Sequence, residues 1–93
     1  MPHDRRSQLI IEALDHNQLD TAHHLLHEWG SEAGADAEHL FLSGRLSMKR
    51  QRWGEAISLF TQADRLAPQG PAAEYLEMLT HIMDFYNKDM YNP

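Results

Sequence analysis

Trp53-Gly54-Glu55-Ala56-Ile57-Ser58-Leu59-Phe60-Thr61-Gln62-Ala63-Asp64-Arg65-Leu66-Ala67-Pro68-Gln69-Gly70 decides the fold. Trp53, Ala56, Ile57, Phe60, Ala63 and Leu66 recur at intervals of one, three or four, which places them on one face of an α-helix. Pro68 has no amide hydrogen to donate and its ring clashes with the preceding turn, so the helix ends before it. Gly70 completes the stop.

The same period runs outward in both directions. Toward the N-terminus, Leu40, Phe41, Leu42, Leu46 and Met48 form a further apolar stripe. Before it comes Leu19, Ala22, Leu25, Leu26 and Trp29, with Gly30 expected as a helix C-cap and 31–36 as a connection. The first stripe is Leu9, Ile10, Ala13 and Leu14, with Asp4 or Ser7 as N-cap and a break at His16-Asn17. Toward the C-terminus, Pro71 suits a first helical turn, and the apolar pattern carries a last helix to Tyr86 or Lys88. No segment alternates with the period of two that a strand requires. The expectation is an all-α chain in which short connections join helices into antiparallel hairpins, two hairpins and one leftover helix.

Length and composition set the remaining bounds. Ninety-three residues with 42% hydrophobic and 24% charged side chains suit one small globular domain. There is no cysteine, which excludes disulfides, a thiol nucleophile and every thiolate metal site. The apolar runs are far shorter than the ~20 residues of a membrane span, and Met1-Pro2-His3-Asp4-Arg5-Arg6 lacks a signal peptide's apolar core. A soluble, cytoplasmic protein is expected. The net charge of −6 argues against nucleic acid or an anionic membrane as partner. Half of the eight basic residues stand in one window, Arg45, Lys49, Arg50 and Arg52, with no acid among residues 45–52. Cations are favoured there if the window closes a helix, where the backbone dipole presents its negative end.

Residues 37–70 resemble a tetratricopeptide repeat, whose 34-residue pattern places W-x2-L-G-x2-Y before A-x3-F and a closing proline. Gly44, Ala56, Phe60 and Pro68 occupy the glycine, alanine, aromatic and proline positions, and Trp53-Gly54-Glu55-Ala56-Ile57 resembles the usual start of the second helix. Gly44 and Ala56 would let two helices cross closely, with Phe60 filling the groove between them. Leu40 stands where Trp is frequent, and Ser43 and Ser47 stand where Leu and Tyr are usual, thinning the contact between the paired helices. A shift of 34 residues maps Ala56 to Ala22, Phe60 to Leu26, Trp53 to Leu19 and Gly44 to Ile10. Residues 3–36 then read as a degenerate first repeat, 71–88 as a capping helix and 89–93 as a tail. The resemblance implies an α-solenoid of antiparallel helical hairpins, about two repeats plus the cap.

The resemblance also implies a site. In such arrays the first helix of each hairpin lines a concave groove. The family's groove positions fall on Glu38, Phe41, Arg45, Met48 and Lys49 in the second repeat, and on Asp4, Ser7, Ile11, Leu14 and Asp15 in the first. On the last helix they fall on Ala72, Tyr75, Leu79, Ile82 and Met83. The carboxylate clamp of the chaperone-binding members is missing, because its positions hold Ser7, Ile11, Leu42, Ala72 and Leu76. What the groove would take is a protein or peptide segment with apolar anchors and an acidic residue facing Arg45 and Lys49.

Catalysis and cofactors find no support in the residues. Ser7, Ser31, Ser43, Ser47 and Ser58 lack a nucleophile-elbow context, no glycine-rich phosphate loop occurs, and no cofactor is implied. His23, His24 and His27 have helical spacing, so two imidazoles could share a face, but a closed metal site needs about four ligands and no glutamate completes an HExxH motif. The expected function is a non-catalytic interaction module. The alternative is a self-associating unit, a homodimer among the possibilities. On the last helix Glu74, Glu77, His81, Asp84 and Lys88 form one narrow polar stripe, leaving an apolar arc in which Met78, Phe85 and Tyr86 are the expected self-association surface.

Overall fold

The computed structural model describes the backbone of residues 2–34 and 36–91, and the side chains of 5–32 and 36–83. Five helices account for the described chain: α1 (Pro2–Asp15), α2 (Leu19–Ala33), α3 (Ala37–Lys49), α4 (Trp53–Leu66) and α5 (Pro71–Tyr91). No strand occurs among the described residues. Each helix packs on the next, and α1 also packs on α3. The radius of gyration is 14.1 Å, with extents of 51 × 28 × 19 Å. A compact chain of this length would have a radius near ~12 Å, so the molecule is elongated.

Several helix ends differ from expectation. α1 starts at Pro2 rather than after Asp4 or Ser7, because proline is pre-organised for a first turn. Ser7 is instead a buried mid-helix residue whose hydroxyl donates to Glu38. Gly30 does not end α2, and the segment 31–33 is helical rather than connecting. The helix ends at Gly34, which takes φ 79° and so supplies the left-handed turn that residues with a Cβ resist. Gly30 has another role: a Cβ there would stand 3.2 Å from Nε2 of His39, so its bareness admits the imidazole. α5 continues to Tyr91, so residues 89–91 extend the helix and do not form a separate tail; Asn92 and Pro93 lie outside the described residues.

Hairpin geometry recurs at 34 residues. α1 and α3 end at Asp15 and Lys49, α2 and α4 begin at Leu19 and Trp53, and α3 and α5 begin at Ala37 and Pro71. Both hairpin turns are Schellman motifs. Asn17 and Gln51 take φ 59° and 61°. Gln18 N–H donates to Ala13 O at 2.7 Å, and Arg52 N–H donates to Ser47 O at 2.9 Å. Asn17 N–H reaches Leu14 O at 3.1 Å, and Gln51 N–H reaches Met48 O at 3.0 Å.

Two apolar clusters share α3. One gathers Ile10, Ala13, Leu14, Ala22, Leu26 and Trp29 with Leu42 and Leu46. The other gathers Leu40, Ala56, Phe60, Ala63, Ala72 and Leu79. Phe41 packs against both. The crossing of α3 and α4 is close where the sequence placed it: a Cβ on Gly44 would lie 2.7 Å from the Phe60 ring. Trp29 and Ala63 hold equivalent positions 34 apart, as do Leu26 and Phe60, and all four are buried. The first hairpin therefore carries its bulk one turn further along its second helix than the second hairpin does.

Candidate ligand-binding groove

Phe41, Arg45, Met48 and Lys49 lie on α3, where i, i+4 and i, i+7 spacing aligns them along one side of the helix. Two cavities open along this line. One of about 350 Å³ is lined mainly by apolar groups: Ile11 from α1, Phe41 and Leu42 from α3, Ala63 and Ala67 from the end of α4, and Pro71 and Ala72 from α5, with Glu38 its carboxylate. The second, of about 410 Å³, lies between α3 and α5 and is lined by Arg45, Met48, Lys49, Glu74, Tyr75 and Met78. An aromatic cluster lies at their junction. Phe41 meets Tyr75 edge-on at 5.2 Å and Phe60 at 5.7 Å, while Phe60 and Tyr75 are 5.2 Å apart, distances at which ring quadrupoles attract.

Arg45 is fixed by both neighbours. Its guanidinium lies 6.0 Å from the Tyr75 ring centroid and 3.5 Å from the Asp15 carboxylate of α1. Its side chain is only 18% exposed, against 61% for Asp15, so the cation is held and the anion faces water. The basic window is largely neutralised by the neighbouring helices. Arg50 pairs with Asp20 at 3.5 Å and Arg52 with Glu55 at 3.7 Å. Lys49 is exposed and has no ion pair among the described residues.

The structure thus brings together Phe41, Arg45, Met48, Lys49, Tyr75 and Met78 along two adjoining cavities. Leu79 does not join them: it is fully buried in the second core, because its face of α5 turns onto α4. Leu14 is likewise core. Ile82, half-buried, packs against the second cluster. Ser7 is bonded to Glu38, and Asp15 to Arg45.

Among the described residues, much of the expected apolar arc on α5 is covered. Tyr75, Leu76 and Ile82 pack against the second cluster along with buried Leu79, leaving Met78 at 41% exposure. Phe85 and Tyr86 lie on α5, but their side chains are outside the described residues.

Among the histidines, His23 and His27 stack with centroids 6.5 Å apart, while His24 turns to Glu28 at 3.2 Å. No group of three or more His, Cys, Asp or Glu side chains is placed to hold a metal among the described residues. His39 was not singled out by its spacing. Its Nε2 donates to the Leu26 carbonyl at 2.7 Å, and its ring meets Trp29 edge-on at 5.3 Å. The signal for it in the sequence is the bare Gly30, which makes room for it.

No protein-family model, no curated protein and no solved structure matches this chain. Among the described residues no helix is long and apolar enough to cross a membrane.

Proposed function

We propose that this chain is a short solenoid of tetratricopeptide-like hairpins that binds a protein or peptide segment along the face of α1, α3 and α5, without catalysis. The 34-residue recurrence of helix bounds and turn hydrogen bonds supports the repeat reading. One observation carries the binding reading: an apolar cavity against Phe41 adjoins a second one walled by Arg45, Lys49 and Tyr75. The first takes an aliphatic or aromatic anchor. The second takes a carboxylate, which competes with exposed Asp15 for Arg45 and finds Lys49 beside it.

The test is a titration of fluorescent peptides that carry one bulky apolar residue and one acid two or three residues away. Saturable binding is expected, weakened by added salt. Phe41→Ala should remove the anchor's contribution and Arg45→Glu the acid's. Equal affinity for wild type and Arg45→Glu would overturn the basic half of the groove, and no saturable binding by any such peptide would overturn the reading as a whole.

A further inference from the structure

A cavity outside the groove has a different chemistry. It lies between α2, α3 and α4, measures about 300 Å³, and shares no lining residue with the groove cavities. It exists because two small side chains, Ser43 and Ser47, stand one turn apart on α3, where the resembled repeat carries Leu and Tyr. Ser47 is 7% exposed and Ser43 half-buried. The space that larger residues would fill has an apolar floor of Leu26, Leu46 and Leu59 and polar side chains around it. Arg50 and Arg52 reach it from the turn between α3 and α4, and His23 and His27 from α2.

We propose that this cavity binds a phosphoryl group. Two guanidiniums, two hydroxyls and two imidazoles among the lining side chains of one space of this size supply the donors that a tetrahedral oxyanion with several acceptor oxygens needs. The α4 N-terminus has no side-chain cap, and its positive dipole end opens at the rim held by Arg52 and Glu55. The anions already present are displaceable. Asp20 meets Arg50 at 3.5 Å from a fully exposed position, and Glu55 meets Arg52 at 3.7 Å with both side chains more than half exposed.

Carboxylates and a third imidazole also stand at the cavity. Glu55 from α4 offsets one of the two arginines, and Asp20 from α2 sits outside against the other. From α3, His39 also lines the space; its Nε2–H is committed to Leu26 O, and its buried Nδ1 has no partner.

Sulfate is the first probe, because its charge is fixed around neutral pH. Titration into the full chain at constant ionic strength, followed by amide and arginine side-chain NMR shifts, should be saturable. Arg50→Gln with Arg52→Gln should weaken it about tenfold or more. Ser43→Leu with Ser47→Tyr should abolish it by filling the space, with retained helicity checked by circular dichroism. Inorganic phosphate, glycerol phosphate and a phosphoserine peptide then distinguish the source. Tightest binding of the ester assigns a small metabolite, and tightest binding of the peptide a modified side chain of a partner. Shifts that do not saturate, or that are the same in the arginine double variant, overturn the proposal.

Discussion

Gly44 and Phe60 meet where α3 and α4 cross closely, and they yield the first prediction. A methyl group at 44 would sit 2.7 Å from the ring, so Gly44→Ala should destabilise by about 1–3 kcal/mol through overpacking. The first hairpin shows the remedy, since Ile10 and Leu26 share the first cluster 34 residues before Gly44 and Phe60. Gly44→Ala with Phe60→Leu should therefore cost less than the sum of the two single changes, a coupling read by a denaturant double-mutant cycle. Strict additivity would show that the two hairpins pack differently. Gln51 gives a second prediction at this scale. It holds φ 61°, where its counterpart Asn17 is a residue that tolerates the left-handed region. Gln51→Gly should stabilise by about 0.5 kcal/mol, because the left-handed strain it relieves outweighs the unfolded-chain entropy it adds, read as a raised denaturation midpoint with an unchanged slope. The Gly44–Phe60 contact was legible because both residue types have a stated steric role. Gln51 was not, because nothing in the residue itself signals positive φ; only its place 34 after Asn17 does.

At the scale of the element, apolar period located all five helices, and the errors were confined to their ends. Gly30 illustrates why. Glycine ends helices by taking positive φ, but it also admits a neighbour, and composition alone does not separate the two uses. Gly34, four residues on, held the cap, and the side chain that needed Gly30 bare was His39, nine residues away in another helix. The start of α3 has a more local cause. Asp36 accepts a hydrogen bond from His39 N–H at 2.9 Å, so it caps α3 and sets the register of the His39 ring on Trp29. Asp36→Ala should cost about 0.5–2 kcal/mol, and the near-ultraviolet dichroism of Trp29 should weaken with it. Loss of stability with an unchanged tryptophan signal would mean that the ring is positioned by Gly30 and Leu26 alone. The candidate groove was legible at this scale for its α3 members, which share one face. Leu79 was not, because its place in the resembled repeat does not reveal that its side of α5 is turned onto α4.

For the whole molecule, the question is whether the two clusters are one cooperative unit. A chain of this size has modest stability, of about 5 kcal/mol, and isolated hairpins cannot bury their faces alone. The structure joins the two cores through a single helix. Leu42 and Leu46 of α3 belong to the first cluster, Leu40 belongs to the second, and Phe41 packs on both. Loss of either cluster removes part of the burial that holds α3, so each should unfold with the other. The two tryptophans report them separately, Trp29 from the first core and Trp53 from the edge of the second. Single-tryptophan proteins, Trp29→Phe and Trp53→Phe, should each give one urea transition that coincides with their own helical dichroism. Phe60→Ala, about 3–5 kcal/mol less stable, should expose Trp29 as well as unfold the second hairpin, although Phe60 belongs to the other cluster. A Phe60→Ala protein in which Trp29 keeps its buried emission would show instead that the first hairpin stands on Trp29, Leu26 and Ile10 without help, and that the two hairpins are coupled only weakly through α3.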